Sequence, residues 1–392
     1  MSPTKRKDPR FGFLCFGFVI CGIVTVLPGP LLPLLAARWG LRDVQSGAFF
    51  AAEFAASTIA AILSPRRMRW SLPRGYALMT AGVLMLTVAG RAVQASVGND
   101  LALAAFALIG FGIGLSVTAT NLLVGAAGAE HRARRLSLVN LWWGIGAVAC
   151  PWMVSAAERG GNLRGLLALV ALGSMIMFVG LLALKEERGR APAASSLAGD
   201  AGALAYFAVL LFLYVGVENA VGGWIATYGY RFTGLTLADA SQLVGVYWLA
   251  LLTGRALGSV ALKRTPERAV LMPCLGFSLA AVAMLIQPHT RLAVIGAVVA
   301  AGLGFGPVFP VGVSRMLARV ADHRNTGWVF ATCAGGGAVL PWLTGLISTQ
   351  TGSLRLGFAV PVIALALILL LALAENILLG RPSAAEPAKL EA

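Results

Sequence analysis

Three ionisable residues, Glu53, Glu218 and Arg255, lie inside long apolar stretches, away from the ends of those stretches. A charge at the depth of a hydrocarbon core is expensive, so such residues are functional candidates by default. Desolvation disfavours the charged form of a carboxyl group, so Glu53 and Glu218 could take up and release a proton. Both are candidate proton-coupling residues. The alternative is a carboxyl group that only supplies hydrogen bonds between helices.

Other charged residues are predicted to be structural. Arg255 lies toward one end of its apolar stretch, where it could snorkel to water or cap backbone carbonyls. Arg91 and Glu375 lie close to the ends of their stretches and are predicted to be interfacial.

Polar and aromatic residues within the apolar stretches are candidates for holding a small molecule, since a pocket sets a few polar groups on an apolar wall. These candidate substrate-binding residues are Asn219, Trp224, Tyr247, Trp248, Asn121, Asn140 and Trp143. An interfacial anchor is the alternative for tryptophan in a membrane protein. Asn219 follows Glu218 and points about 100° away on a helix, so one of the two faces a cavity more directly.

The elements that position these residues are predicted to be membrane-spanning helices. The 392-residue chain is 58% hydrophobic and only 12% charged, about half the charged share of a soluble domain. A soluble domain, a disordered chain and a disulfide scaffold are excluded on these numbers. About 20 apolar residues cross a bilayer as a helix. Twelve stretches qualify, near 11–37, 44–63, 75–96, 100–127, 137–157, 164–184, 203–231, 240–262, 268–287, 291–317, 326–348 and 354–378.

The charge pattern indicates orientation. The net charge of +15 comes from short basic clusters between apolar stretches, so no nucleic-acid-binding domain is predicted. Most of these clusters fall on one side when the N-terminus is cytoplasmic, and an even number of spans then makes the C-terminus cytoplasmic as well. The basic start and the apolar run from Phe11 are interpreted as a retained first helix rather than a signal peptide.

No cofactor or metal is predicted. The five cysteines lie in apolar stretches without a C-x-x-C pattern, and the three histidines fall in loops. The Gly-x-x-x-x-Gly-Lys-Ser/Thr loop of ATP-driven machines is absent.

Two motifs recur in the second half of the chain. Gly110-Phe-Gly-Ile-Gly114 returns 192 residues later as Gly302-Leu-Gly-Phe-Gly306, and a Gly-x4-Pro-Trp motif ending at Trp152 returns 190 residues later. These repeats predict a duplicated six-helix unit. The predicted divisions are an N-terminal half at 1–184, a cytoplasmic linker at 185–202, a C-terminal half at 203–378 and a cytoplasmic tail at 379–392. The glycines predict close helix contacts, and Pro28, Pro30, Pro33, Pro307 and Pro310 predict kinks in spans one and ten.

Over essentially its whole length the chain resembles the major facilitator superfamily. Leu27-Pro-Gly-Pro-Leu-Leu-Pro33, Tyr214-Val-Gly-Val-Glu-Asn-Ala-Val-Gly-Gly-Trp224, Gly304-Phe-Gly-Pro-Val-Phe-Pro310 and Gly336-Gly-Ala-Val-Leu-Pro-Trp-Leu-Thr-Gly345 resemble its fucose-permease and sodium-dependent glucose transporter branch. The resemblance implies a monomeric, multi-pass carrier in the inner (plasma) membrane. Such a carrier would move a small neutral sugar or polyol by alternating access with a proton or a sodium ion. Fucose permeases resemble one another in acidic residues of spans one and four. Here these two spans contain no acidic residue except Asp100 at the outer end of span four, so that coupling scheme is not carried over.

Other functions stay open at this point. A drug or metabolite exporter would also use a membrane carboxylate, and a uniporter would use none. A membrane enzyme would need clustered His, Asp or Ser/Lys at lipid depth, and a sensor would usually carry a soluble output domain. Neither feature is found in the sequence, which therefore predicts a transporter and not an enzyme.

Overall fold

The computed structural model describes residues 9–64, 68–125, 129–183, 201–287, 290–319 and 326–379. All regular secondary structure in these ranges is helical. The helices are α1 (Pro9–Val26), α2 (Pro28–Trp39), α3 (Asp43–Leu63), α4 (Met68–Ala89), α5 (Ala95–Gly125), α6 (Ala129–Arg159), α7 (Leu163–Ala183), α8 (Ala201–Phe232), α9 (Leu237–Ala261), α10 (Glu267–Met284), α11 (Arg291–Phe305), α12 (Val308–Arg319), α13 (Thr326–Thr351), α14 (Leu354–Gly357) and α15 (Ala359–Leu378).

These helices form twelve segments that are long and apolar enough to cross a membrane. Spans one, ten and twelve each combine two consecutive helices, namely α1 with α2, α11 with α12, and α14 with α15. The prediction of an all-helical protein with twelve spans is confirmed. Residues 185–200 of the predicted linker lie outside the described residues, as do residues 380–392 of the predicted tail.

The third span differs most from its predicted position. It was expected at 75–96, whereas α4 begins at Met68 and ends at Ala89. A tight turn stops the helix, because the Gly90 and Arg91 backbone N–H groups bond to Leu86 and Val88. The apolar residues beyond it, such as the fully exposed Val93, belong to a loop.

Prolines break two spans where the sequence predicts kinks. Span one is interrupted at Leu27, directly before Pro28, and span ten is interrupted at Gly306 and Pro307. Proline lacks the backbone donor of a helix interior and its ring clashes with the preceding turn. Both spans are therefore pairs of shorter helices joined at a bend.

The repeated glycines lie where helices touch. A Cβ on Gly110 would collide with the Glu53 carbonyl oxygen, so α5 and α3 are in backbone contact. In the second half, a Cβ on Gly302 would meet the α9 backbone at Tyr247, and a Cβ on Gly306 would meet it at Arg255. The two Gly triplets therefore serve the same purpose, which is close helix packing.

We call α1–α7 the N group and α8–α15 the C group. Four glycines have left-handed backbone angles. In the N group, Gly40 lies between spans one and two and Gly161 between spans five and six. In the C group, Gly234 lies between spans seven and eight and Gly352 between spans eleven and twelve. These turns all lie at one end of the bundle, which we call the distal end. The opposite end, where α1 begins and α15 finishes, is the terminal end.

Candidate functional site

The two groups meet at the distal end. Across this contact α3 packs on α13, α6 on α9 and α2 on α8. Asp43 of α3 forms a bidentate ion pair with Arg231 of α8, with N–O distances of 2.6 and 2.7 Å. Arg159 of α6 pairs with Asp239 of α9 at 2.5 Å. We call these four residues the distal latch.

The contact between α6 and α9 continues inward from the latch. Gln242 of α9 donates a hydrogen bond to the Ser155 hydroxyl at 3.0 Å. Further along, the Trp143 and Trp248 rings meet edge to face, with centroids 5.5 Å apart. The side chains from α6 and α9 therefore interlock from the distal end to about mid-depth.

Beyond Trp143, α6 is open toward the terminal end. The three consecutive residues Asn140–Trp142 are all exposed, and three residues sweep about 200° of a helix surface. Asn140 lies one helix turn from Gly144, which contacts Leu252 of α9, so this exposed surface extends to the side toward α9. We infer that the two groups enclose a cleft that is closed by their contacts at the distal end and is open toward the terminal end.

Glu218 and Arg255 form an ion pair beside this cleft. The Glu218 Oε1 atom of α8 lies 3.6 Å from an Arg255 Nη2 atom of α9. Glu218 is buried, whereas about a third of the Arg255 side chain is exposed. The prediction for Arg255 was snorkelling or capping of carbonyls, and the structure instead gives it a carboxylate partner. A buried charge needs such a partner, and Glu218 meets that need.

Aromatic residues support the Glu218 backbone. The Tyr247 hydroxyl donates to the Glu218 carbonyl at 2.9 Å, and the Tyr214 hydroxyl donates to the Phe305 carbonyl at 2.8 Å. The Tyr247 ring also contacts Phe305 and Trp248 edge to face. Tyr247 is fully buried and Trp248 nearly so. Together they fix the part of α8 that carries the carboxyl group.

Glu53 has a different environment from Glu218. It is 1% exposed within the N group, and neither carboxyl oxygen has a hydrogen-bond partner among the described residues. The next residue, Phe54, contacts Gly337 of α13. Glu53 is therefore a buried, unpartnered carboxyl group close to the boundary between the groups.

The remaining predicted binding residues are dispersed. Trp224 is fully buried and its indole N–H donates to the Pro341 carbonyl at 2.8 Å, so in this conformation it packs on α13 rather than lining the cleft. The amides of Asn219 and Asn140 bond to backbone carbonyls one turn earlier in their own helices. The Asn121 side-chain oxygen on α5 is buried and has no hydrogen-bond partner within the described ranges. The structure thus brings together Glu218, Tyr247, Trp248 and Trp143, but not the rest.

Sequence reasoning missed a second charged cluster. Glu375 was predicted to be interfacial, yet it is 2% exposed. Its carboxylate accepts hydrogen bonds from Arg315 Nη2 at 2.6 Å and from Arg319 Nε at 2.8 Å. The only sequence signal was the i, i+4 spacing of the two arginines, which places them on one helix face.

The chain matches the family model of the Major Facilitator Superfamily over residues 14–331. It is 24% identical to a glucose/galactose transporter of Brucella abortus, with 94% of this chain and 95% of the relative aligned. It is similar in structure to the Escherichia coli fucose:proton symporter (TM-score 0.62, 18% identity, 93% and 98% covered). It is also similar to a D-xylose-proton symporter (TM-score 0.75, 13% identity, 93% and 96% covered).

The resemblance to the superfamily that the sequence motifs predict is thus confirmed, and the similar proteins include a glucose/galactose transporter and a fucose symporter. The family and these relatives are transporters and not enzymes. With its twelve apolar spans, the protein is a multi-pass membrane protein. The chain belongs to the major facilitator superfamily.

Proposed function

We propose that this protein is a secondary active transporter that moves a small neutral sugar or polyol together with a proton by alternating access. Three transporters named for sugars share its fold, and the sequence relative among them aligns over almost the full length of both chains. Both termini would be cytoplasmic, as the basic clusters favour, and the membrane would be the inner (plasma) membrane.

The observation that carries the proposal is that the distal latch joins the two groups while α6 is exposed toward the terminal end. The cleft inferred from this arrangement has the Glu218–Arg255 pair beside it. With cytoplasmic termini this arrangement would be the inward-facing state. The predicted halves at 1–184 and 203–378 correspond to the N group and, apart from the first two residues of α8, to the C group. Rocking of one group against the other would open the distal end in turn.

The coupling proton would bind Glu218 or Glu53. Glu218 can hold its negative charge because Arg255 is adjacent, and protonation would weaken that pair. Neither carboxyl oxygen of Glu53 has a hydrogen-bond partner in the part of the chain that the structure describes, so its present packing accommodates the neutral acid better than the carboxylate. Glu218 lies beside the cleft, next to the partly exposed Arg255 of α9. Glu53 is enclosed in the N group, so the groups would need to separate before it could exchange a proton with water.

Substrate contacts would come from both groups. Trp143 offers an aromatic face at the closed end of the cleft, and Asn140 offers an amide in its open part. The other predicted binding residues are buried or half-buried here and would contact substrate only after a rearrangement, namely Trp248, Asn219, Asn121, Tyr247 and Trp224. A sugar needs such a mixture of apolar faces and polar groups.

The test uses purified protein in liposomes that contain a pH-sensitive dye. Hexoses, pentoses and polyols are added outside, and internal acidification is followed for the wild type, Glu218→Gln and Glu53→Gln. Asp100→Asn is the matched control, because Asp100 is exposed at the distal end of α5. We expect acidification that depends on sugar, is lost in one of the two Glu variants and is kept in the control.

Each other outcome contradicts part of the proposal. Entry of labelled sugar without a pH change would indicate sodium coupling or uniport and would remove the coupling function of both glutamates. If no sugar moves, the substrate assignment is wrong, and proton-driven export of drugs or metabolites becomes the function to test.

A further inference from the structure

We propose that the same cleft also transports sugar acids, whose carboxylate replaces Glu218 as the partner of Arg255 while Glu218 takes up the coupling proton. This inference rests on the proposed transport function but extends it to a second class of substrate, the monocarboxylates of sugars. It follows from the position of Arg255, from the loose geometry of its ion pair and from the balance of charge.

Arg255 lies on the face of α9 that looks toward the N group. Trp248 and Leu252 on this face contact Trp143 and Gly144 of α6. Seven residues make almost two helix turns, so Arg255 is aligned with Trp248 but lies two turns closer to the terminal end. That is the depth at which α6 becomes exposed, and it explains why a third of the Arg255 side chain is accessible.

Asn140 is positioned across the cleft from this part of α9. The antiparallel contacts Ser155–Gln242 and Gly144–Leu252 define the register of the two helices. Asn140 precedes Gly144 by about one turn, and Arg255 follows Leu252 by about one turn. The amide and the guanidinium are therefore at similar depth on opposite walls, where a polyhydroxy acid could contact both.

The ion pair leaves capacity on the guanidinium. Its Nη2 atom lies 3.6 Å from Glu218 Oε1, longer than a hydrogen bond of ordinary length. The Arg255 Nε atom is buried and has no hydrogen-bond partner among the described residues. A guanidinium has five N–H donors in a planar fork that fits a carboxylate in bidentate fashion. A substrate carboxylate would therefore be a better partner than Glu218 is in this conformation.

Charge balance favours the same exchange. The empty site holds one negative and one positive charge, from Glu218 and Arg255. A neutral sugar entering with a proton on Glu218 would leave the Arg255 charge without a counter-charge in a largely apolar setting, which is unfavourable, so Glu53 is the better proton site for a neutral substrate. A monocarboxylate restores neutrality, because the proton neutralises Glu218 and the substrate pairs with Arg255.

The surroundings of Glu218 contain no competing acid among the described residues. The titratable and charged groups near it are Arg255 and Tyr247 from α9 and Tyr214 from its own helix. From α11 and α13 the neighbours are uncharged, namely Phe305, Gly336 and Leu340. Proton uptake at Glu218 and anion binding at Arg255 would therefore be coupled directly to each other.

The experiment compares uptake of labelled galacturonate and gluconate with uptake of labelled galactose by full-length protein in liposomes. An inward proton gradient is applied with and without a membrane potential. We expect the acids to accumulate and their uptake to be insensitive to the potential, since one proton and one monoanion carry no net charge. Galactose with a proton carries one positive charge, so its uptake should respond to the potential.

A paired variant, Glu218→Gln with Arg255→Gln, removes both charges and so avoids an uncompensated buried charge. The ratio of galacturonate to galactose uptake is expected to fall at least about tenfold in this variant. Arg264→Gln, an exposed residue near the end of the same span, is the control and should keep the ratio. If the paired variant does not fold, as judged by size exclusion, Arg255→Lys keeps the charge and loses the fork. It should weaken galacturonate binding by about fivefold or more.

The outcomes separate this inference from the proposed function. Galactose uptake with no uptake of either acid would overturn the inference and leave the proposed function standing. Acid uptake that keeps its ratio in the folded variants would also overturn it, since the anion would bind elsewhere. Acid uptake without galactose uptake would support the inference and contradict a neutral substrate. No transport of any probe would overturn both.

Discussion

We call Glu375, Arg315 and Arg319 the Glu375 cluster. The distal latch and the Glu375 cluster both consist of arginines paired with carboxylates, yet they connect different parts of the molecule. In the latch, Asp43 and Arg159 belong to the N group, and their partners Arg231 and Asp239 belong to the C group. The latch must therefore break whenever the two groups separate at the distal end.

The Glu375 cluster lies wholly within the C group. Arg315 and Arg319 of α12 hold the Glu375 carboxylate of α15 at 2.6 and 2.8 Å. Groups that rock as rigid bodies leave this cluster intact. The comparison teaches that an ion pair between groups selects a conformation, whereas an ion pair within one group stabilises the fold.

The largest effect is therefore expected for Glu375→Gln. This change removes the carboxylate that Arg315 and Arg319 share in a site where all three side chains are mostly buried, and it leaves Arg315 with the longer Glu267 contact of 3.8 Å. Removing one partner of a buried pair typically costs about 3–5 kcal/mol. We expect the apparent Tm of the purified protein in detergent to fall by roughly 5–10 °C.

Asp100→Asn is the control for this measurement, because it removes an exposed carboxylate of similar charge and should leave the Tm unchanged. An unchanged Tm for Glu375→Gln would contradict a stabilising function of the cluster within the C group.

A smaller effect, on conformation rather than on folding, is expected for Asp43→Asn. Asp43 is 7% exposed and also accepts a hydrogen bond from Ser348, so two side chains, Arg231 and Ser348, lose a charged partner. The closed distal end should lose stability relative to the open one by on the order of 1.4 kcal/mol, which is about tenfold in population. The reporter is Ser241→Cys, since Ser241 is buried and its hydroxyl donates to the Pro30 carbonyl across the two groups.

The rate at which a hydrophilic maleimide labels Cys at position 241 is measured from the distal side. Asp43→Asn should raise it by about tenfold. Arg164→Gln, an exposed change at the distal end outside the latch, should not. Equal rates in both variants would mean that Asp43 does not hold the distal end closed.

Depth in the membrane could be predicted from the sequence, but the direction in which each side chain points could not. Twelve spans, the breaks at Pro28 and Pro307 and the close contact at Gly110 all depend on position along a helix, which apolar run length and residue type reveal. The Glu218–Arg255 pair depends on rotation about the helix axis. Most helices here are apolar on all sides, so no polar face marks that rotation.

Glu375 illustrates the same limit at a span end. Its position near the end of an apolar run predicts an interfacial residue, and it is indeed close to the terminal end. Its carboxylate is held by two arginines of α12, the helix that follows the bend at Pro307, and its helix α15 packs on α8 and α10. A partner on another helix cannot be found from the spacing of residues within one helix.

The smallest effect is expected for Arg159→Gln, and the reason lies in exposure. The Arg159 and Asp239 side chains are 54% and 36% exposed, whereas Asp43 is nearly inaccessible. Water and salt screen an exposed pair, which is usually worth about 0.2–1 kcal/mol. In addition, the Thr236 hydroxyl can still donate to Asp239 after the change. Labelling at position 241 should therefore rise less than about fivefold, and raising the salt concentration should remove even that difference. A rise as large as that for Asp43→Asn would show that both pairs hold the distal end equally, and that burial does not determine which of them closes it.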